Sequence, residues 1–136
     1  MHRLLLLARL IRDHAPQGEQ ISLDHATHLA GDLARLLDQV QTEGLNFDRL
    51  EDLVPERYAT HWQKTLVLLG IVTTIWPETL AAEGCIDPAD RRNRLLEALT
   101  DLWRREPPTG RVVAAGSTGS IPAVARLLHC VAELPV

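Results

Sequence analysis

The run from residue 111 to residue 124, RVVAAGSTGSIPAV, constrains the fold most, because it predicts a strand, a tight turn and a helix in close succession. Val112 to Ala115 form a short apolar run that suits a strand, and the glycines that follow allow backbone angles that other residues resist. Ser120 is expected to cap the next helix, and Pro122 suits its first turn. One strand cannot make a sheet by itself, so its partners are expected in a missing part of a longer protein or in a second copy.

A turn of this kind often presents backbone N–H groups to a phosphate. The P-loop pattern requires lysine and a hydroxyl residue after its second glycine, whereas Gly119 is followed by Ser120 and Ile121. The nucleophile-elbow pattern GxSxG is absent as well. Ser117, Gly119 and Ser120 are therefore a candidate anion-binding turn, and an ordinary capped connection is the favoured interpretation.

Composition limits the classes of function that this chain can have. Its 136 residues are enough for one modest core, and a net charge of −4 argues against a protein that coats DNA nonspecifically. The two cysteines, Cys85 and Cys130, form no CxxC pair, so we expect reduced, mostly buried thiols and no metal or cluster bound by this chain. The apolar run Leu4 to Leu7 is too short to span a bilayer, which predicts a cytoplasmic protein without a membrane contact.

The rest of the chain predicts helices. They are expected over about 2–14, over 22–43 with Gly44 as the stop, from Pro55 to about Trp76 with a kink or restart at Pro77, and from Asp87 to about Arg105, with a short turn near 47–53. The helix over 22–43 has a stripe of apolar residues at helical spacing, made of Ala26, Leu29, Ala30, Leu33, Leu36, Leu37 and Val40. The predicted fold is mainly α. A helical subdomain covers residues 1–107, and residues 108–136 form a strand–turn–helix piece of an incomplete α/β domain.

Arginines on the helix that begins near Asp87 suggest a surface that contacts phosphate. Arg91, Arg94 and Arg105 fall on one flank and are candidate DNA contacts, although salt bridging along the helix is the favoured interpretation. The apolar face of the same helix is expected to consist of Leu95, Leu99, Leu102 and Trp103. Arg92 projects from near the middle of this face, which predicts a buried guanidinium with a partner.

Two further clusters are assigned to structure rather than chemistry. Asp24, His28 and Asp32 are four residues apart on one helical face, which is typical of a solvated face and falls short of the converging ligands that a metal needs. His61 and Trp62 could stack on unpaired bases, but with so few aromatic residues a core role for the tryptophans is favoured.

Several short sequence segments, referred to below as the shared words, occur in a fixed order along the chain. In combination they resemble the AddB family, whose members are subunits of the AddAB helicase–nuclease, in its alphaproteobacterial form. The words are Leu33–Val40, Glu43–Leu45, Leu53–Glu56, His61–Gln63, Trp76–Pro77, Asp87–Pro88, Arg91–Asn93 and Ala114–Pro122.

The resemblance implies a piece of a much longer polypeptide that resembles a superfamily 1 helicase at its N-terminal side. Residues 1–107 would correspond to the inserted helical subdomain 1B, and the last strand and helix to a return into domain 1A. Where an active motor has Asp-Glu, this chain has Ala114 to Ser117, so no catalytic residue is carried over. The family's iron–sulfur cluster and nuclease would lie outside this segment, and no cofactor is expected in this chain.

The resemblance also implies partners. An AddA-type helicase–nuclease subunit would bind the parent protein, and DNA would be reached through the complex, which processes double-strand ends for recombinational repair. The isolated piece could pair with itself through its strand. The alternative interpretation of the function is a free-standing helical interaction or regulatory module. A third interpretation is a small phosphate-binding enzyme that uses the turn from Ser117 to Ser120.

Overall fold

The computed structural model describes residues 2–15, 20–45 and 59–134, and for residues 59–64 it describes the backbone only. The helices are α1 (His2–Asp13), α2 (Leu23–Thr42), α3 (Ala59–Gly70), α4 (Trp76–Ala82), α5 (Pro88–Arg105) and α6 (Pro122–Ala132). A π-helical segment, Ile71–Ile75, joins α3 to α4 without a break. The predicted turn near 47–53 and the predicted helix start at Pro55 lie outside the described residues.

The core forms where α1, α2 and the π-helical segment meet. Its buried members are Leu7, Ala8, Ile11, Ala26, Ala30, Leu33, Ala34, Leu37, Ile71, Val72 and Trp76. The three alanines recur every fourth residue on α2, and their small side chains let α1, which makes the most extensive contact with α2, approach closely. The stripe predicted on α2 is therefore confirmed.

Local signals in the sequence explain where α2 begins and ends. The hydroxyl of Ser22 accepts a hydrogen bond from the His25 backbone N–H at 3.2 Å, which satisfies one of the free donors of the first turn. At the other end Gly44 has φ +64°, a left-handed conformation that glycine adopts without a Cβ penalty.

The helices of the C-terminal half continue the packing outward from α2. α5 lies against α2, and α6 lies against α5. Thr100, Ala123 and Cys130 are buried in the α5–α6 contact, where the Cys130 thiol donates to the Thr100 carbonyl at 3.7 Å. An ion pair between Arg126 and Glu97 joins the exposed sides of the same two helices.

The predicted strand over Val112 to Ala115 is wrong. Residues 111–115 are irregular, and the described part of the chain contains helices and no strands. β-Branched residues favour extended backbone, but a strand also needs a hydrogen-bonded neighbour, and the segment 108–113 lies instead beside Val131, Ala132 and Leu134 at the end of α6. The fold class of a helical subdomain joined to an incomplete α/β domain is corrected to mainly helical. The domain boundary at residue 107 stays a prediction.

Among the residues that the structure describes, one helical stretch, Thr65–Ala82, is long and apolar enough by length and composition to cross a membrane. The core helix of a globular protein passes the same test, so this single stretch is weak evidence, and the predicted cytoplasmic location stays a prediction.

Candidate functional site

Asp87 is a buried carboxylate at the point where α5 begins, and it is 2% exposed. Its backbone occupies the N-cap position, as the sequence predicts, but its side chain makes no capping bond. Instead Oδ2 accepts from Nε2 of Gln41 at 2.9 Å and from the indole Nε1 of Trp76 at 2.8 Å. The carboxylate thus connects the end of α2, the start of α4 and the start of α5.

Arg3 brings α1 to the same carboxylate. Its Nε lies 2.9 Å from Oδ1 of Asp87, its Nη1 donates to Asp38 Oδ1 at 2.8 Å, and its Nη2 donates to the Ala34 carbonyl at 3.4 Å. The contact between Nε and Oδ1 is short but poorly aligned for a hydrogen bond, so it is an ion pair rather than a directed bond. We refer to Arg3, Gln41, Trp76 and Asp87 as the Asp87 junction.

Two side chains near the start of α5 also donate hydrogen bonds to polar groups at the end of α2. Nδ2 of Asn93 donates to the Gln41 carbonyl at 2.6 Å, and Nη2 of Arg92 donates to the Thr42 hydroxyl at 2.8 Å. The Gly44 N–H also donates to this Gln41 carbonyl at 3.0 Å, so the Asn93 bond supplies a second donor at the helix end. The prediction of a buried Arg92 is wrong, because this side chain is exposed and Arg3 is the arginine that pairs with a buried carboxylate.

The π-helical segment leaves a backbone acceptor without its usual donors. The Trp76 N–H bonds to the Ile71 carbonyl, five residues back, and Pro77 has no N–H. The Val72 carbonyl therefore receives neither the donor of an α-turn nor that of a π-turn. The sequence predicts a kink or a restart of the helix at Pro77. The structure has a π-helical segment just before this proline, and the helix continues without a break to Ala82.

A cleft of about 710 Å³ lies beside the junction, and we call it the Trp76 cleft. Its walls come from the end of α2, the π-helical segment, α4, the loop before α5 and the first turns of α5. The apolar wall includes Leu37, Leu45, Val72, Trp76, Leu80 and Ile86, and the polar wall includes Gln41, Thr73, Asp87, Asp90 and Arg94. Oε1 of Gln41, one of the lining residues, is itself buried and has no hydrogen-bond partner among the described residues.

The rim of the Trp76 cleft carries an ion pair. Nη2 of Arg94 lies 2.7 Å from Oδ2 of Asp90, and Nε donates to Oδ1 at 3.0 Å, one turn apart on α5. The hydrogen bond that Arg94 donates to Asp90, and then the negative charge of that carboxylate, raise the pKa of Arg94 above its ordinary value, while desolvation opposes the shift. The pair is open to solvent, because the Arg94 side chain is 63% exposed.

The predicted DNA flank is found on the exposed side of α5, with its members differently engaged. Arg91 is exposed, Arg94 is held by Asp90, and Nε of Arg105 donates to the backbone carbonyl of Asp101 at 3.1 Å. Two of the three arginines, Arg94 and Arg105, therefore bind groups of their own helix. Their contact with DNA stays a prediction.

The predicted anion turn is exposed and partly bonded to itself. Gly116 and Gly119 have φ of +73° and +66°, which confirms the conformational role of both glycines. The Gly119 N–H is directed to the Ser117 hydroxyl at 3.4 Å, and the Thr118 hydroxyl donates to Ser120 at 3.3 Å. Ser120 does not cap α6, because the helix begins at Pro122 with Ile121 in the N-cap position.

The remaining predicted clusters give no site. His28 lies 3.8 Å from Asp24 on an exposed face, and Asp32 pairs with Arg35. The described ranges hold no group of three or more His, Cys, Asp or Glu side chains arranged to bind a metal. The side chains of His61 and Trp62 lie outside the described residues. Trp76 is a core residue, and Trp103 is half-buried.

Cysteine burial is predicted correctly for one residue only. Cys130 is buried, whereas Cys85 is exposed at the edge of the Trp76 cleft. Both thiols are free.

Sequence reasoning does not bring the four residues of the Asp87 junction together, because they lie far apart in the chain and share no local motif. The sequence pattern places Arg3 in an amphipathic helix, and it predicts that Gln41 is an exposed residue near a helix end. The one available signal was Trp76, since a buried indole N–H requires an acceptor.

Comparisons with protein-family profiles, with curated proteins and with solved structures found no match to this chain.

Proposed function

We propose that the chain is a helical piece of an AddB-type subunit, part of a helicase–nuclease complex that processes double-strand DNA ends, and that it is a scaffold or DNA guide without catalysis of its own. The observation that carries the proposal is the position, within the fold, of the shared words, the short sequence segments that resemble AddB. Asp38, Trp76, Asp87 and Asn93 each belong to one of those words and each takes part in, or adjoins, the Asp87 junction. Words of this kind are expected where a resemblance concerns the packing of helices.

The chemistry of the junction supports a scaffold role. The polar groups of Arg3, Gln41 and Trp76 are directed at one buried carboxylate and connect four helices. A catalytic carboxylate has to reach a substrate, whereas Asp87 is 2% exposed and already surrounded by three donors. We therefore assign Asp87 to positioning helices.

The corrected fold weakens one part of the proposal. An unpaired strand would have indicated missing neighbours, and the described residues contain no strand. The ordered words alone support a longer parent protein. The AddA-type partner, access to DNA through the complex and the cytoplasmic location belong to this proposal on the same basis.

A free-standing interaction module is the second candidate, and exposed apolar side chains favour it. Leu66 lies on the long helix, and Leu95 and Leu102 lie on α5, with 38%, 54% and 43% of their surfaces exposed. Leu95 and Leu102 are seven residues apart and therefore share one face of α5, and exposed apolar side chains aligned on one face are a feature of surfaces that bind other proteins. A phosphate-binding enzyme is not favoured, because the Gly119 N–H is already directed to Ser117.

The mass of the native polypeptide separates the two candidates. An antibody raised against the purified chain should detect, in extracts of the source cells, a protein far larger than the 15.1 kDa of this chain. Precipitation with the same antibody should recover an AddA-type subunit. A single native band near 15.1 kDa without that subunit would support the free-standing module instead.

DNA guidance is tested on the purified chain with labelled duplex at low salt. With at most three phosphate contacts, we expect weak binding whose log–log salt slope is no steeper than about −3. Replacing Arg91 and Arg94 by glutamate should abolish it. The matched control replaces Arg9 and Arg12, which lie on α1 and give the same change in net charge. Equal losses in both double variants would show that net charge, not the α5 flank, determines binding.

A further inference from the structure

The outer side of α5 carries large apolar residues, while its buried side carries small ones. Leu95 and Leu102 are 54% and 43% exposed, and Ala98 between them is exposed as well. An α-helix turns by about 100° per residue, so these three side chains lie within about 60° of one another around the helix. The buried residues of the helix, Ala89 and Thr100, lie on the opposite side. We call Leu95, Ala98 and Leu102 the outer strip.

The helices that pack on α5 leave the outer strip open. The hydrogen bond from Arg92 to Thr42 joins α5 to α2, and the ion pair between Arg126 and Glu97 joins it to α6. Arg92 and Glu97 lie about 90° and 130° around the helix from the middle of the strip. Among the helices of the described residues, only α2 and α6 contact α5 extensively, so in this part of the chain the strip has no packing partner.

An arginine lies at each end of the outer strip. Arg91 and Arg105 share its side of α5 and are 14 positions apart, which is about 21 Å along the helix. Both are exposed, and the ion pairs that the described residues of α5 form, at Asp90 and Glu97, include neither of them. The third acid of the helix, Asp101, is exposed beside the strip and reduces the positive charge near Arg105. The strip is therefore apolar along its length and positively charged at both ends.

We propose that the outer strip is the docking site for an amphipathic helix of another protein, whose apolar seam has a carboxylate beyond each end. The seam would pack on Leu95, Ala98 and Leu102, and the two carboxylates would pair with Arg91 and Arg105. A helix laid along an apolar strip gains affinity from the side chains that it buries, and charges at the rim select the partner. The inference does not depend on the proposed function, because it is based on α5 alone and holds for either candidate.

Charge complementarity favours this occupant over a second copy of the chain and over DNA. In an antiparallel pair of α5 helices centred on Ala98, Arg91 of each copy would meet Arg105 of the other. In a parallel pair in register, each arginine would meet its own counterpart, so both arrangements bring like charges together. Duplex DNA could bind the two arginines through its phosphates, but phosphates offer no apolar surface to the leucines between them.

Three peptides with the same seam test the charge pattern. Each is a helix-forming peptide with a three-turn leucine seam, and the residue one turn beyond each end of the seam is glutamate, glutamine or lysine. Binding of the fluorescently labelled peptides to the full chain is measured by anisotropy at low salt. We expect the glutamate peptide to bind about fivefold more tightly than the glutamine peptide, as two exposed ion pairs would give, and the lysine peptide to bind most weakly.

The net charge of the chain provides the control for this order. Because that charge is −4, attraction by net charge alone would favour the lysine peptide over the glutamate peptide. Equal affinities for the three peptides, the opposite order, or no saturable binding of the glutamate peptide would each overturn the proposal.

Variants of the chain locate the site. Leu102→Gln should weaken binding of the glutamate peptide about fivefold, whereas Leu23→Gln, also exposed but on α2, should leave it unchanged. Arg91→Gln should reduce the preference for glutamate over glutamine, and Arg104→Gln, exposed on α5 away from the strip, is its matched control. Asp101→Asn should strengthen binding of the glutamate peptide, because it removes a like charge beside the strip.

Thermal midpoints close to that of the unmodified chain establish that each variant is folded, as expected for exposed positions. Equal effects of Leu102→Gln and Leu23→Gln, or of the two arginine variants, would refute the assigned face. Binding of labelled duplex DNA that is lost in Arg91→Gln, together with no binding of the glutamate peptide, would assign the arginines to nucleic acid and overturn the proposal.

Discussion

Replacing Asp87 by asparagine should destabilise the protein far more than its single-atom change suggests. Asparagine keeps the volume and one oxygen, which can still accept from Gln41 and Trp76. Its amide nitrogen, however, would replace the Oδ1 that now lies 2.9 Å from Nε of Arg3, so two donors would face each other. Breaking a buried ion pair typically costs about 3–5 kcal/mol. Because Arg3 is 20% exposed and keeps Asp38, we expect the lower end, about 3 kcal/mol.

Urea unfolding followed by far-UV circular dichroism measures this cost. With a denaturant slope of about 1–2 kcal/mol per molar, a loss of about 3 kcal/mol lowers the midpoint by about 2 M. Asp38→Asn is the matched control, because Asp38 contacts the same guanidinium but is 49% exposed, and it should cost less than about 1 kcal/mol. Equal midpoint shifts in the two variants would refute the assignment of Asp87 as the buried centre of the fold.

A double-mutant cycle isolates the pair itself. Arg3→Met removes the guanidinium and leaves the carboxylate with two neutral donors. If the ion pair is what stabilises the junction, the double variant Arg3→Met with Asp87→Asn should lose at least about 1 kcal/mol less than the sum of the single variants. Strict additivity would mean that the two residues act separately.

Three other variants and reagents test further parts of the structure. Arg92→Ala should lower the free energy of unfolding by less than about 1 kcal/mol in the same urea assay, because this side chain is exposed; a loss above about 2 kcal/mol would restore the buried position expected from sequence. Gly119→Ala should cost about 1–2 kcal/mol because φ is +66°, whereas Gly110→Ala, in open space and without a positive φ, should be nearly neutral; equal thermal midpoints would contradict the turn geometry. A thiol reagent should modify Cys85 rapidly and Cys130 only on unfolding, so Cys85→Ser should abolish the fast phase; a fast phase that remains would show that Cys130 is accessible.

The helices that could be predicted are those with local signals. Ser22 and Gly44 bound α2 as expected, and the proline at position 88 marks the start of α5. These signals work because capping and backbone angles depend on residues within one turn. The stripe of alanine and leucine residues on α2 is predictable in the same way, because apolar residues recur there at helical spacing.

The sequence predictions that are wrong concern features that depend on contacts between residues far apart in the chain. The apolar face assigned to α5 was based on its leucines, yet Leu95 and Leu102 are exposed while Ala89 and Thr100 are buried. Which face is buried depends on where α2 and α6 lie, and the small residues fit those contacts. The valines at 112 and 113 favour extended backbone, but whether a strand forms depends on a neighbouring strand.

The candidate site was the least predictable part. An aspartate before a proline looks the same in sequence whether it caps a helix or receives an arginine from another helix. Only the fold brings Arg3 and Gln41 to Asp87, and only then does the Trp76 cleft form beside them.

The π-helical segment makes the number of residues between α3 and α4 as important as their identity. An α-helix rotates by about 100° with each residue, but a π-turn takes up about one residue more than an α-turn. Deleting one residue between Ile71 and Ile75 should therefore return the segment to α-helix and leave α4 near its present angle to α3, whereas deleting two should rotate α4 by about 100°. The Trp76 indole would then swing away from Asp87, although every side chain of the junction remained in the chain. Point substitutions such as Thr73→Ser or Thr74→Ser preserve this angular setting. Deleting a second residue here should therefore disturb the packing of the two halves of this continuous helix more than any exchange of side chains.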